Sequence, residues 1–255
     1  DILERLELFL YRQADLIISV THSFKSEIQN RGVSENKIKV ILNGVDLSKY
    51  NPLPEKDPEF SEKFQLRNKF VAGYIGTHGL AHSLHNIIEA AELLKSDDNI
   101  RILFAGAGAD RLRIEKLVEK RDLSNVVFIP RQPKENMQKI WSLCNISIIS
   151  LKDTPLFSTV IPSKIFESMA MKLPIIISVP EGESTEIIRT HKAGVVIPPE
   201  NSNSLYKAIQ NIKKDKNLYN ELADGSFLAA SKFNRKTLAL KMLRYIEKVV
   251  RHKSL

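Results

Sequence analysis

A single cysteine in 255 residues, Cys144, rules out a disulfide scaffold and predicts a reducing, cytoplasmic setting. It lies inside the apolar run IWSLCNISIISL, where the expected role is a small buried hydrophobe rather than a nucleophile. No apolar run reaches the ~18 residues needed to cross a bilayer, and no charged-then-apolar leader opens the chain. Neither a membrane span nor an export signal is therefore expected. Tandem repeats and low-complexity tracts are missing as well. No set of His, Cys and Asp stands at metal-ligand spacing, and no pair of carboxylates suits hydrolytic acid–base chemistry. What is left, with 43% apolar and 27% charged residues, is the composition of an ordinary globular protein of one or two domains.

The formal net charge is +8, which raises the question of nucleic acid. Its distribution argues against that partner. Residues 232–255 carry eight Lys or Arg against the one acid Glu247, so +7 sits in this tail and the body is almost neutral. Within the tail Leu238, Met242, Tyr245 and Val249 recur at helical spacing, with Lys241, Arg244, Lys248 and Arg251 largely off that stripe. A packed terminal helix with a solvated basic face accounts for the pattern. Attraction to an anionic membrane surface is the second reading.

From Phe70 onward short β-branched runs, Gly or Pro turns and stretches of helical periodicity alternate. Strands are expected at Phe70–Ile75, Asn99–Ala105, Val126–Ile129, Ile146–Leu151, Pro174–Val179 and Gly194–Ile197. Helices are expected at Ser83–Leu94, Asp110–Lys120, Lys134–Leu143, Pro162–Met171 and Ser184–Thr190, and the chain beyond Asn201 reads as wholly helical. Val- and Ile-rich strands without polar alternation are covered on both faces. This predicts an α/β fold with a doubly wound, Rossmann-like parallel sheet that binds ligands at the carboxyl ends of its strands. Upstream, Ala14–Val20 and Lys37–Leu42 read as strands around the helical Ser23–Arg31, closed by Asn43-Gly44. Residues 1–51 thus look like the end of a preceding α/β domain, 52–68 like a linker, 69–231 like the main domain and 232–255 like a basic terminal helix. The start at Asp1 inside the helical-looking LERLELFLYRQ predicts a piece of a longer protein.

Three stretches carry candidate chemistry. In VAGYIGTHGLAHSL a strand runs into Gly76 and Gly79 before a helix beginning near Ser83. Glycines let the backbone approach a ligand there, and a helix start offers N–H groups to a phosphate, although a plain tight turn explains the pair equally well. His78 and His82 are able to donate to an anion, or are simply solvated. In FAGAGAD, Gly106 and Gly108 open like a dinucleotide fingerprint, but Asp110 and Arg111 stand where the third glycine belongs, which disfavours NAD. A turn close to a base or sugar and a purely structural turn both remain. The most specific stretch is IPSKIFESMAMKLPIII, where Pro162 and Ser163 suit a helix start and Glu167 follows Ser163 near capping-box spacing. Lys164 falls in the first turn, where a cation is unfavourable beside the helix dipole unless an anion is present. It points to such an anion, against a solvated lysine as the simpler account.

The order NGVD, GTHGLAHSL, FAGAG and PSKIFESMAMKLPIII, followed by Gly182-Glu183, resembles the retaining group 1 (family 4) glycosyltransferases, whose GT-B fold sets two Rossmann-like domains across a cleft. The PSK-x-x-E and GTHGLAH variants are similar to the branch that builds bacterial surface polysaccharides, including colanic-acid-type and N-acetylfucosamine transferases. The resemblance spans essentially the whole chain, as the end of an acceptor-side domain and a complete donor-side domain. It implies that Glu167 matches the second glutamate of an E-x7-E motif and accepts from the ribose hydroxyls of a nucleotide donor. Lys164 would face the donor diphosphate together with Gly76, Thr77, Gly79 and His82, and Arg131 of FIPRQPKE would lie along the nucleoside. Thr159, Pro162, Ser163, Gly182 and Glu183 would line the donor-sugar end. The sequence departs from the pattern at Thr159, where the first glutamate of the motif belongs, and at Thr77 and His82, where the glycine loop commonly carries Arg and Lys.

The activity that the resemblance implies is transfer, with retention, of a hexosyl or N-acetylhexosaminyl group from a nucleotide-sugar, expected to be a UDP-sugar. The acceptor would be a glycan or lipid-linked molecule held by the preceding domain, and cations and N–H groups would stabilise the leaving diphosphate. No metal or other cofactor is implied; the nucleotide-sugar is the substrate. This chain alone is expected to bind donor and turn it over poorly. A UDP-sugar epimerase of the same fold is a second reading, disfavoured because no histidine and acid set for proton abstraction is apparent. A non-catalytic sugar-nucleotide-binding module is a third, consistent with Thr159. The expected location is cytoplasmic, with peripheral contact at the inner face of the membrane through the basic tail.

Overall fold

The computed structural model describes residues 2–253. Helix α1 (Ile2–Gln13), strand β1 (Ile17–Ser19), helix α2 (His22–Asn30) and strand β2 (Ile38–Val40) form a first unit. Its two strands pair in parallel from Ile17↔Ile38 to Ser19↔Val40, and its apolar contacts gather on Ile28, Val33 and Ile38. The strands are shorter than the expected Ala14–Val20 and Lys37–Leu42 because only these three residues on each side find a ladder partner.

The stretch 52–68, expected as a linker, is partly folded onto the body. It carries helix α3 (Pro58–Lys63), started by Asp57, whose carboxylate accepts from the Phe60 N–H at 3.0 Å. Phe60 and Leu66 are buried in the cluster that also holds Val71, Leu103 and Trp141. Its proline and surface charge masked these apolar anchors in the sequence.

The body follows as β3 (Phe70–Ile75), α4 (Leu84–Leu93), β4 (Ile100–Ala105), α5 (Arg111–Lys120), β5 (Val126–Ile129), α6 (Met137–Ser142) and β6 (Ile146–Ser150). It continues with α7 (Pro155–Ser158), α8 (Lys164–Ala170), β7 (Ile175–Ser178), α9 (Glu183–Thr190) and β8 (Gly194–Ile197), and then α10 (Ser202–Lys214), α11 (Lys216–Ala230) and α12 (Arg235–Lys253). The six strands β3 to β8 run parallel in the order β5-β4-β3-β6-β7-β8. The chain winds outward from β3 to β5 and returns to place β6 beside β3, so the crevice of this doubly wound sheet opens between β3 and β6.

Alternate residues of β3 serve opposite layers: Ala72 and Tyr74 pack with Ile87 and Ile88 of α4, whereas Val71 and Ile75 pack with Trp141 of α6. Cys144 is buried against Gly73, where any Cβ would collide with its Sγ, and burial pushes the thiol up to about 12. It is a packing residue, as expected. The helix expected at Lys134–Leu143 begins instead with a 3₁₀ turn at Lys134–Asn136, and α7 was not foreseen. Helix α12 starts against the first unit: the Val45 N–H donates to the Phe233 carbonyl and Arg235 Nη2 to the Gly44 carbonyl, both at 2.9 Å. No helix among the described residues is long and apolar enough to cross a membrane.

Candidate functional site

Two glycine turns leave the carboxyl ends of β3 and β4 side by side. Gly76 ends β3 at φ +135° and Gly106 ends β4 at φ +143°, both in the left-handed region that a side chain rarely adopts. A Cβ on Gly106 would collide with the Gly76 carbonyl, so the two backbones are in direct contact. Pairing continues past the sheet, with the His78 N–H on the Ala107 carbonyl at 2.9 Å and the Asp110 N–H on the His78 carbonyl at 2.8 Å. Together these turns border a cleft of about 370 Å³ lined by Gly76, Thr77, Gly106, Arg131, Met137 and Ile140. Gly76 and Thr77 of the expected diphosphate group and the expected nucleoside residue Arg131 therefore share one concavity, whose lining does not include Gly79, His82 or Lys164. His82 stands beside the loop, its Nδ1 3.4 Å from the Ser150 carbonyl, and Gly79 starts the short 3₁₀ turn that contains it.

Lys164 is the central finding. Its Nζ is buried, lies 3.9 Å from the Tyr74 ring centroid, and finds no hydrogen-bond acceptor among the described residues. A Cβ on Gly76 would stand 3.2 Å from that nitrogen, so the amine sits directly against the glycine turn. The simpler account of a solvated lysine is thereby overturned. Burial pushes its pKa down to about 7, with Glu167 pulling the other way. Three residues along the same helix, Glu167 is mostly buried and its carboxylate forms no hydrogen bond within the described residues; burial raises its pKa, against the pull of Lys164 and Arg235. Burial and the Glu167 charge hold the neighbouring Tyr50 phenol at about 12. Ser163 caps nothing with its side chain, so no capping box forms, and Glu167 is free of that task.

His78, read as a donor to an anion or as simply solvated, is fully buried, with both ring nitrogens lacking partners among the described residues. Burial, reinforced by Arg111, Lys164 and His82, holds its pKa near 4, and burial with Lys164 does the same for His82. Both imidazoles are neutral near pH 7. The sequence reading of Asp110 is likewise refined: its buried carboxylate takes both oxygens to Arg113 and shapes a turn.

The donor-sugar candidates lie on the other side of the crevice. Thr159 donates its hydroxyl to the Leu156 carbonyl at 2.7 Å and shares a groove with Ser23 and Phe24 of the first unit. Pro162 and Ser163 lead into α8. Gly182 backs onto Ser158, whose carbonyl leaves no room for a Cβ. Glu183 turns away toward α2, accepting from the His22 and Ser23 N–H groups at 2.9 and 2.7 Å and from the Ser23 hydroxyl at 2.8 Å.

Two participants escaped sequence reasoning. Tyr74 reads as a core strand residue, yet its ring carries Lys164 and its hydroxyl donates to the Thr77 carbonyl at 2.7 Å. Glu200 straps the loops of the crevice, accepting from Ser83 Oγ at 2.7 Å and from the Asp153 N–H at 2.9 Å. No local motif marks either. Among the described residues no group of three His, Cys, Asp or Glu side chains is placed to hold a metal ion.

A doubly wound sheet with glycine turns, and a buried amine without a hydrogen-bond acceptor at its switch point, belongs to an α/β protein of Rossmann type. The chain belongs to the group 1 glycosyl transferases, whose family model matches residues 56–226, and residues 1–49 match the model for glycosyltransferase family 4. It is 25% identical over 203 residues to the putative colanic acid biosynthesis glycosyltransferase WcaL of Escherichia coli, covering 77% of this chain and 47% of that protein. It is 22% identical over 241 residues to the N-acetylgalactosamine-N,N'-diacetylbacillosaminyl-diphospho-undecaprenol 4-alpha-N-acetylgalactosaminyltransferase of Campylobacter jejuni, covering 93% and 61%. The chain spans about half the length of the curated relatives it matches. Among solved structures, HepE of Anabaena in complex with UDP and glucose superposes with a TM-score of 0.81 at 18% identity, over 95% of this chain and 66% of that one. Sucrose-phosphate synthase of Thermosynechococcus elongatus gives the same TM-score at 21% identity, over 97% and 61%. The shared architecture is the GT-B fold.

Proposed function

We propose that this chain is the donor-binding part of an enzyme that transfers a sugar, with retention, from a UDP-sugar to a glycan or lipid-linked acceptor in bacterial surface polysaccharide assembly. The observation that carries the reading is the buried Lys164 amine, held against Gly76 with no acceptor of its own. Burying a cation without a partner is costly, and an anionic ligand at this point offsets that cost. The diphosphate lies on the Gly76–Gly79 turn, where the Thr77 and Gly79 N–H groups, the Thr77 and His82 side chains and Lys164 meet it, the Gly76 and His78 N–H groups being held by the β4 turn. As the bond between sugar and diphosphate breaks, the charge growing on the leaving oxygens is stabilised by Lys164 and these preset donors. Glu167 accepts from the ribose hydroxyls, which explains a mostly buried carboxylate without a protein partner. The base occupies the cleft beside Arg131.

Support for the substrate class comes from the relatives: HepE was solved with UDP and glucose, and the Campylobacter enzyme is named for an undecaprenol-linked acceptor. An acceptor of that kind resides at a membrane. The exposed Lys241, Arg244, Lys248 and Arg251 of α12, with Met242, Leu243 and Ile246 also open to solvent, provide a surface for anionic lipid. The deciding experiment is calorimetric titration of the chain with UDP, GDP and ADP, with and without magnesium. Selective, metal-independent UDP binding is expected; equal affinity for the three nucleotides, or none for any, overturns the assignment.

A further inference from the structure

We propose that Glu183 is a positioning residue that latches the first unit onto the body across the crevice. The first turn of α2 presents three N–H groups that the helix itself leaves unpaired. Thr21, the residue before the helix, satisfies one of them, accepting from the Phe24 N–H at 3.0 Å. The other two, on His22 and Ser23, are served by the Glu183 carboxylate at 2.9 and 2.7 Å, and the Ser23 hydroxyl adds a third bond at 2.8 Å. The start of a helix in one unit is thus completed by a side chain 160 residues further on. A carboxylate is suited to this place, because it accepts several bonds at once and its charge meets the positive end of the helix.

Glu183 is itself rigidly mounted. It is the first residue of α9, where the next two residues, Ser184 and Thr185, are buried, the Gly182 N–H donates to Thr185 Oγ1 at 3.1 Å, and Gly182 backs onto Ser158. The two latch partners follow β1 and β7, both at strand carboxyl ends, so the contact closes the mouth of the crevice where the donor-sugar candidates lie. The first unit has a small apolar core of its own, gathered on Ile28, Val33 and Ile38, and meets the body elsewhere through the segment that follows β2, where Val45 is buried with Ile149, Ile165 and Phe166 and bridges to Asn234. Separating the units at the crevice therefore requires Glu183 to release α2. Release exposes two N–H donors and one carboxylate to water, which makes the latch reversible rather than permanent.

The latch itself needs no ligand; its coupling to the site rests on the nucleotide reading above, and the two are tested separately. Amide hydrogen exchange, read by NMR on the 255-residue chain without ligand, tests the latch. Glu183→Ala is expected to speed exchange of the His22 and Ser23 amides at least tenfold, with the amides of β3 and β6 unchanged. Glu183→Gln, which keeps one acceptor oxygen, and Ser23→Ala, which removes the hydroxyl bond alone, are expected to give smaller increases. Unchanged exchange at His22 and Ser23 in Glu183→Ala overturns the proposal. Addition of UDP then tests the coupling: the His22 and Ser23 amides are expected to respond in the wild type and to lose that response in Glu183→Ala. Binding of UDP with the same response in both proteins overturns the coupling, whereas failure of the wild type to bind UDP overturns the nucleotide reading and leaves the exchange result standing.

Discussion

Two cations lie at the carboxyl edge of the same sheet, each resting on an aromatic ring, and they differ in what they touch. Arg111 stacks 4.8 Å from the Phe128 centroid and donates to the Gly106 and Ile129 carbonyls at 2.8 and 3.1 Å, with Glu115 on its Nε. Lys164 sits 3.9 Å from the Tyr74 centroid and donates to nothing among the described residues. Arg111 uses its Nη1 donors to join the ends of β4 and β5. Lys164 has kept its three for something else. A cation whose donors bridge two strand ends belongs to the scaffold, and one buried with no acceptor is a candidate for ligand binding.

Substitution of each cation should separate the two roles. Lys164→Ala is expected to weaken UDP binding by about 3 kcal/mol, the upper range for a charged hydrogen bond, with little change in melting temperature. Arg111→Ala should do the reverse, costing about 2 kcal/mol of stability through two lost carbonyl partners while leaving UDP affinity within a few-fold. Calorimetry and thermal denaturation on both variants decide it; equal losses of affinity would erase the distinction. Next in size is Glu167→Ala, expected to weaken UDP by about 1–3 kcal/mol because two ribose hydroxyls lose a shared acceptor. Deoxyuridine diphosphate should show a smaller difference between wild type and variant, and unchanged UDP affinity in the variant removes the ribose assignment.

The same contrast explains what could be read in advance. Lys164 was legible because a lysine in the first turn of a helix conflicts with the helix dipole, a local rule that needs no tertiary information. The strands were legible because consecutive Val and Ile residues fit only a sheet covered on both faces, and their parallel direction followed from the alternation with helices. Tyr74 was not, since the aromatic ring that completes the core of β3 is indistinguishable in sequence from one that carries a cation. His78 read as a loop residue because its burial depends on Gly106 and Gly108 bringing the β4 turn down upon it, a pairing between segments about 30 residues apart. Glu183 was placed at the cleft, but its partner on α2 is set by the packing of two units and leaves no trace in the local pattern.

The open amine also sets a pH dependence. Burial brings the Lys164 pKa to about 7, while a bound diphosphate favours the charged form. UDP binding above pH 7 therefore takes up a proton, and affinity should fall with rising pH by up to about tenfold per unit between pH 7 and 9. His78 and His82, held near 4, stay neutral throughout this window and do not contribute. Titrations in buffers of differing ionisation enthalpy should detect the proton uptake, and Lys164→Ala should abolish it. A flat profile in the wild type would mean that the amine is already charged before the ligand arrives.

The smallest expected effect belongs to Tyr74, which joins the two halves of the comparison. Its hydroxyl donates to the Thr77 carbonyl at 2.7 Å, a scaffold contact, while its ring faces Lys164, a site contact. Tyr74→Phe removes the first and keeps the second, because the face of a phenylalanine ring still attracts a cation. A loss of about 1 kcal/mol in stability is expected from one partly buried neutral hydrogen bond. The Thr77 turn loosens with it, so UDP affinity should drop a few-fold through the glycine loop rather than through the amine. The slope of affinity against pH separates those routes: it should stay as in the wild type, whereas a shifted slope would show that the hydroxyl, and not the ring alone, sets the environment of Lys164.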